Sequence, residues 1–268
     1  MKQFFAGIAC AFTLALTSCQ FSENVYINED GSGTMEFKMD ASEMMEMVGQ
    51  MGGGQTEGDE ESDGQSNGMK GMDKAMDSTI VFKDFLRDNR DSISKLSLED
   101  QQKIRALEDF KMHMLMDPET KKMVFNLSTE FKSADKLQDM FKAMNNFSNL
   151  QGSNDALQNA PASPFSGMGE GSSTDVQYSF DGTVFKRTGV ILNEELHEQS
   201  IDSLGESAMV FASSEYTINY HFPRPVKSFS KEGALFSEDR KTVTYEVGFL
   251  EVLKDPKLLS FEVILEDK

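Results

Sequence analysis

The stretch NVYINEDGSGTMEFKM, residues 24–39, decides the fold because it predicts a β-hairpin. Apolar and polar residues alternate on both sides of the DGSG sequence at 30–33, which is typical of a tight turn between antiparallel strands. The sequence DASE that follows, at 40–43, has the spacing of a helix cap. The first unit is therefore predicted as strand, strand, helix.

The same order of elements recurs twice along the chain. Residues 111–129 alternate around a turn at 117–120 and precede a predicted helix at 134–150. Residues 176–188 alternate around Asp181-Gly182 and precede a helix near 193–204, which carries Leu196, Ile201 and Leu204. Either a structural repeat or the common local connections of α+β proteins would give this order.

The predicted helix at 134–150 has an apolar stripe that must be covered. We expect it to pack on the concave face of an antiparallel sheet that supplies Tyr216, Ile218, Tyr220, Val243, Tyr245, Phe261 and Val263. The interface is then either closed core or a cleft for an apolar ligand. In the second case the candidate ligand-binding residues are Leu137, Met140, Phe141, Met144, Phe147, Tyr220 and Tyr245.

The remaining segments complete an α+β prediction. Helices are expected at 78–86 and at 97–110, where Ser97 caps and Ile104 and Leu107 face inward. Strands are expected at 215–222, 226–229, 234–236, 242–247 and 259–265, with one or two helical turns at 249–253. The predicted fold is an antiparallel sheet built from β-hairpins, with the helices packed mainly on one face.

Composition divides the chain into regions. Residues 52–71 are acidic and rich in glycine and are predicted to form a disordered loop, and residues 151–174 are predicted to be a flexible linker or loop. They separate an α+β region at 19–150 from one at 175–268, which consists mostly of strands toward its end. We expect the second region to complete the same domain.

The first 19 residues have the order of a lipoprotein signal. Lys2 precedes an apolar run at 4–16, and Leu16-Thr17-Ser18-Cys19 follows. This string resembles the lipobox of bacterial lipoproteins. The resemblance implies that residues 1–18 are a signal peptide, that Cys19 is acylated, and that the lipid attaches the protein to a membrane of the cell envelope. Gln20 in the next position favours the outer over the inner membrane.

Further motifs resemble the LppM-type lipoprotein domains. They are the DGSG hairpin at 30–33, the FPRPV sequence at 222–226 and the KTVTY sequence at 241–245. Tyr245 stands where that family usually has Trp, and the resemblance covers only about residues 19–40 and 215–265. It implies an α+β domain with a curved antiparallel sheet, for which lipid or glycolipid binding has been proposed.

The sequence also argues against several functions. A net charge of −19 makes nucleic acid a poor partner. Neither a nucleophile motif nor a phosphate loop is present, and His113, His197 and His221 lack the spacing of metal ligands. We therefore expect no catalytic residues, no cofactor and no metal, and we interpret His221 as a half-exposed edge residue.

Methionine is the one unusual residue type. The chain has 18, in groups at Met44, Met45, Met47 and Met51, at Met69, Met72 and Met76, and at Met112, Met114 and Met116. Thioethers bind Cu(I), but methionine also fills irregular cores, which is the stronger interpretation.

The favoured function is a membrane-anchored, non-enzymatic binding module for a lipid-like ligand. A structural or assembly lipoprotein that contacts other envelope proteins is the alternative, and copper binding is a minor one.

Overall fold

Two β-sheets form the framework of the protein. The computed structural model describes residues 20–43, 45, 75–137, 173–205, 208 and 211–267. Within these ranges twelve strands form an eight-stranded sheet, here sheet A, and a four-stranded sheet, here sheet B. Five α-helices and two short 3-10 helices accompany them. The prediction of an α+β fold is confirmed.

The strands run as follows: β1 Gln20–Ile27, β2 Gly33–Asp40, β3 Met76–Val81, β4 Phe110–Asp117, β5 Lys122–Phe131, β6 Thr174–Phe180, β7 Val184–Ile191, β8 Glu215–His221, β9 Val226–Phe229, β10 Leu235–Phe236, β11 Thr242–Gly248 and β12 Phe261–Leu265. The helices are α1 Phe82–Asp88, α2 Arg90–Ile93, α3 Leu98–Arg105, α4 Glu194–Ser203 and α5 Phe249–Lys254, and the 3-10 helices are Ala134–Lys136 and Pro256–Leu259.

Sheet A has the strand order β10-β11-β8-β1-β2-β5-β4-β3. The predicted hairpins β1–β2 and β4–β5 are both present and antiparallel. In contrast to the expected antiparallel sheet, β1 pairs in parallel with β8, Val25 opposite Tyr220. Alternation along a strand fixes which side chains face inward, but not which distant strand pairs with it. Strands from both predicted α+β regions thus share one sheet.

The turn between β1 and β2 shows why its sequence forms a hairpin. The Asp30 carboxylate accepts hydrogen bonds from the Ser32 amide at 3.0 Å and the Ser32 hydroxyl at 2.6 Å. Gly31 has a φ of +81°, a conformation that side chains with a Cβ rarely adopt. The DGSG sequence therefore encodes this turn directly.

Sheet B, with the order β6-β7-β12-β9, packs against the inner face of sheet A. The fully buried ring of Phe185 on β7 lies 5.4 Å from Tyr220 and 5.7 Å from Phe222. Phe261 and Val263 belong to β12 of sheet B, so the expectation of a single sheet face with Tyr220 was wrong. Sheet B covers Tyr220, because every second residue of β7 and β12 is buried and faces inward.

Methionine and phenylalanine fill the inner face of sheet A along β2, β4 and β5. The buried side chains there are Met35, Phe37, Met39, Phe110, Met112, Met114, Met116, Met123, Phe125, Leu127 and Phe131. Their alternation with less buried residues, most of them polar, is the period-two pattern of half-buried strands. The interpretation of Met112, Met114 and Met116 as one strand face in the core is confirmed.

Two predicted helices before β4 need correction. Residues 76–81 form strand β3, and only residues 82–88 are helical. The strand forms because residues 76–81 pair with β4 over their whole length, a long-range contact that overrides local helix signals. The next helix is capped as expected, since the Ser97 hydroxyl accepts from the Asp100 amide, but it ends at Arg105. Ile104 and Leu107 are buried as predicted.

Two later helices also differ in detail. The predicted helix at 134–150 begins as a 3-10 turn that ends at Lys136, and Leu137 is extended with a ψ of 127°. In α4, Asn193 caps the helix through the Leu196 amide, but Leu196 is 42% exposed and His197 is buried instead. The His197 ring forms a 3.0 Å hydrogen bond with the Lys254 carbonyl, which orients that face inward.

Several predictions lie outside the described residues. They are the signal at 1–18 with Cys19, the loop at 52–71, residues 138–150 of the predicted helix, and residues 151–172 of the predicted linker. In the described part of the chain, no helix is both long and apolar enough to cross a membrane.

Candidate functional site: a groove beside Tyr26 and a buried charge cluster

An open groove of about 990 Å³ lies at the end of sheet A where β1 turns into β2. It is lined by Ser128–Lys132 at the end of β5 and just after it, by the β1–β2 turn, and by the segment 106–111 that leads into β4. We call it the Tyr26 groove, because Tyr26 on β1 is the large exposed aromatic residue that lines it.

The ring of Tyr26 is held on one side by a neighbouring strand. It is 47% exposed and stacks on His221 of β8, with centroids 4.1 Å apart and planes 3° apart. Tyr26 pairs with His221 on one side and with Thr34 of β2 on the other. His221 therefore covers one face of the ring, while Tyr26 and its neighbour Thr34 both line the groove.

His221 is itself fixed by its surroundings. Its Nδ1 lies 3.0 Å from the Thr242 hydroxyl, and partial burial lowers the pKa of the imidazole. The ring is therefore neutral at pH 7 and stacks as an uncharged aromatic surface. The interpretation of His221 as an edge residue was wrong, since β8 lies between β11 and β1 inside sheet A.

The groove carries both signs of charge. Lys83, Lys111 and Lys132 line it, and in the described part of the chain none of them forms an ion pair. The carboxylates of Glu108, Asp109 and Glu130 line it too, while Lys136 is paired with Asp135 at 3.4 Å. A locally balanced surface is thus present on a chain whose net charge is −19.

A second group of polar residues is buried between the two sheets. Glu23 on β1 is 2% exposed and Arg187 on β7 is 4% exposed. The Arg187 Nη2 donates to Glu23 Oε2 at 3.2 Å, and its Nη1 donates to the Leu259 carbonyl at 3.0 Å. We call Glu23 and Arg187, together with Tyr178, Tyr216 and Tyr220 around them, the buried cluster.

Three tyrosine hydroxyls also donate hydrogen bonds to the Glu23 carboxylate. Tyr216 donates to Oε2 at 2.5 Å, Tyr178 donates to Oε1 at 3.3 Å, and Tyr220 also donates to Oε1. Burial raises the pKa of Glu23, but the charge of Arg187 and the hydroxyls of Tyr216 and Tyr220 outweigh burial and lower it below 4.5. Glu23 is therefore ionised at neutral pH.

The buried cluster is arranged to hold the sheets together rather than to react. Burial, followed by the charge of Glu23, raises the pKa of Tyr216 and Tyr220 well above 10. Both hydroxyls stay protonated and serve as donors, and both rings are 0% exposed. Each charge is paired and hydrogen-bonded, as buried charges must be.

The sequence-predicted ligand residues are only partly visible. Leu137 is 6% exposed, and Tyr220 is 0% exposed with its hydroxyl on Glu23. Tyr245 is half-buried, with its ring 5.8 Å from Phe229 of sheet B. Met140, Phe141, Met144 and Phe147 lie outside the described residues. Ligand contact by this set stays a prediction.

The described side chains include few that could bind a metal together. Where side chains are described, no three His, Cys, Asp or Glu residues come together as a possible metal site. Met45, Met112, Met114 and Met116 are buried in the apolar core, and Met76 packs against it. The other methionines considered for copper fall outside the described ranges.

Comparison with known proteins gives one structural likeness. No protein-family model matches the chain, and no curated protein matches its sequence. Among solved structures, the chain is similar to the folded domain of LppM from Mycobacterium tuberculosis, at 6% identity. The match covers 93% of this chain and 91% of that one, with a TM-score of 0.30. This is a weak structural resemblance.

Sequence reasoning missed the buried cluster and the role of Tyr26. The signal for Glu23 was present, because a carboxylate interrupts the inward positions Phe21, Val25 and Ile27 of β1, although the strand was predicted to begin only at residue 24. Arg187 interrupts the inward positions of β7 in the same way. A charge on the buried face of each of two strands predicts that the strands meet.

Proposed function

We propose that this chain is a lipid-anchored protein of the bacterial cell envelope whose β-rich domain acts as a non-enzymatic binding module at the membrane surface. The observation that carries the proposal is the position of β1. This strand begins at Gln20, the residue after Cys19, and lies in the middle of sheet A between β2 and β8.

That position leaves no spacer between a lipid on Cys19 and the folded domain. Consecutive Cα atoms are about 3.8 Å apart, so an acylated Cys19 would hold Gln20 at the membrane surface. Gln20 pairs with Asp40 of β2 and Glu215 of β8. This end of sheet A would then face the lipid headgroups.

The charges at this end support anchoring by lipid rather than by electrostatics. Asp40, Glu43 and Glu215 lie there, and anionic headgroups would repel them. The hydrogen bond that Glu246 shares with the Glu215 carboxylate raises the pKa of Glu246, with burial as the second cause, so the two side chains lie close together. Two acyl chains, at roughly 0.8 kcal/mol per buried methylene, would outweigh this repulsion.

The non-enzymatic part of the proposal rests on the charged groups that the structure does bring together. The buried cluster is closed to solvent and fully paired, so its ionised groups hold the sheets together and are not available to a substrate. The balanced groove beside Tyr26 is open and is the site we assign to binding.

Two sequence-based hypotheses remain beside this proposal. A lipid-like ligand along residues 137–150 stays a prediction, because Leu137 alone of that stripe is described. An assembly lipoprotein that contacts other envelope proteins is the alternative. We favour the outer membrane, since Gln20 follows the cysteine.

Labelling with a fatty-acid probe in growing cells tests the anchor. The unchanged chain and a Cys10→Ala control should carry the label, and Cys19→Ala should carry none and remain at precursor length. Label on Cys19→Ala, or normal processing of it, would show that Cys19 is not the lipidation site.

A further inference from the structure

We propose that the Tyr26 groove binds a segment of a neutral polysaccharide, with the sugar ring packed on the exposed face of Tyr26. The inference deepens the proposed function by naming the ligand class of the binding module. It rests on the placement of the Tyr26 ring, the polar groups across from it, the charge balance of the groove and its distance from Cys19.

Tyr26 has the geometry of a stacking platform. His221 covers one face of its ring at 4.1 Å, and the side chain is 47% exposed and lines the groove, so we place the sugar on the face that His221 leaves uncovered. A sugar ring presents a face of C–H groups that packs on an aromatic ring while its hydroxyls stay in water. Because His221 and the paired strands β2 and β8 hold Tyr26 upright, little side-chain freedom is lost on binding.

The same groove offers hydrogen-bonding groups to sugar hydroxyls beside Tyr26. The hydroxyls of Thr34 and Ser128 line it, and neither makes a hydrogen bond within the part of the chain that the structure describes. The ammonium groups of Lys83 and Lys111 add donors, and the carboxylate of Glu130 adds an acceptor. Sugar hydroxyls both donate and accept, so they can pair with each of these groups.

The charge balance favours a neutral ligand over a polyanion. Four lysines and three carboxylates line the groove, and the carboxylate of Asp135 pairs with one of the lysines, Lys136, so the local charge is near zero. The remainder of the chain is strongly acidic, with 45 acidic against 26 basic residues overall, and would repel an anionic polymer approaching along the groove.

The distance from the anchor favours a polysaccharide over a membrane lipid. Tyr26 is six residues beyond Gln20 on β1, which is about 20 Å along a strand. With Cys19 at the membrane, the groove lies beyond the headgroups, where envelope polysaccharides are accessible and acyl chains are not. This step depends on the proposed function, whereas the first three do not.

Co-sedimentation with insoluble polysaccharides tests the inference. The purified full chain in detergent is mixed with one of four neutral polysaccharides, namely cellulose, chitin, cross-linked dextran or insoluble starch, and the bound fraction is measured. We expect binding to at least one of the four. Tyr26→Ala should weaken it at least tenfold, and Tyr26→Phe, which keeps the ring face, should weaken it less than threefold.

Phe236→Ala is the matched control, since Phe236 is an exposed aromatic residue outside the groove. It should bind like the unchanged chain, and thermal unfolding of each variant shows that the fold is kept. Binding to none of the four polysaccharides would overturn the inference. So would Tyr26→Ala binding as strongly as the unchanged chain, or binding that is seen only with sugar-free anionic vesicles. The acyl mass measured on the same sample separates this result from failure of the anchor.

Discussion

Glu23 on β1 and Arg187 on β7 form an ion pair in the interior of the protein, with Oε2 and Nη2 3.2 Å apart. The pair joins the central strand of sheet A to sheet B. Three tyrosine hydroxyls also donate hydrogen bonds to Glu23, and Arg187 donates another to the Leu259 carbonyl. We infer that this arrangement fixes the relative position of the two sheets, because removing either charge leaves the other unpaired.

Replacing Arg187 with methionine should destabilise the protein by about 3–5 kcal/mol, since the buried Glu23 carboxylate loses its counter-charge. Urea unfolding followed by circular dichroism measures the change. Lys186→Met is the control: Lys186 forms an exposed ion pair with Glu262 at 2.7 Å, and its loss should cost less than about 1 kcal/mol. Equal effects of the two variants would contradict a structural role for the buried cluster.

The stabilisation from Glu23 should disappear in acid. Its pKa in the folded protein is below the ordinary 4.5, so its contribution is fully present above that pH and is lost as the pH falls through the folded pKa. The difference in unfolding free energy between the unchanged chain and Glu23→Gln should therefore be constant above pH 5 and shrink below pH 4.5. A difference that grows in acid would show that the pKa of Glu23 is raised instead.

The Tyr216 hydroxyl should contribute more to stability than that of Tyr245. Tyr216→Phe removes a 2.5 Å hydrogen bond to an ionised carboxylate and should cost roughly 1.5–3 kcal/mol. Tyr245→Phe removes a hydroxyl that has no hydrogen bond within the described ranges, and should change stability by less than about 0.5 kcal/mol. Thermal unfolding compares them, and similar losses would contradict the assignment.

Gly33 should not tolerate a side chain. A Cβ at this position would lie 1.9 Å from the Tyr26 carbonyl oxygen and 2.6 Å from the Phe131 ring. Gly33→Ala should therefore destabilise the protein by about 1–3 kcal/mol or more through displacement of the hairpin. In Gly248→Ala the nearest atom is in the flexible Glu251 side chain at 3.3 Å, so this control should cost less than about 1 kcal/mol. Unfolding in urea distinguishes the two.

Local patterns in the sequence predicted the local structure well. The DGSG turn, the alternation in β1 and β2, and the Ser97 and Asn193 caps all depend on residues within a few positions of one another. Residues 78–81 were assigned to a helix because their partners on β4 lie 30 to 36 positions further along the chain.

Distant pairings could not be derived in the same way. The parallel contact of β1 with β8 and the packing of sheet B on Tyr220 depend on which surfaces fit together in three dimensions. Residues such as Glu23 and Arg187 still carried a usable signal, because a charge among inward-facing positions requires a buried partner. No sequence pattern indicated a role for Tyr26, because that role depends on the orientation of its ring against His221.

The mass of the first peptide of the protein extracted from cell membranes tests the central claim most directly. If the folded domain begins immediately after its lipid anchor, the mature chain starts at Cys19 and carries a diacylglyceryl group on the thiol. The sequence from Gln20 onward is then unmodified. A chain that retains residues 1–18, or one that starts elsewhere and has a free Cys19 thiol, would contradict the account.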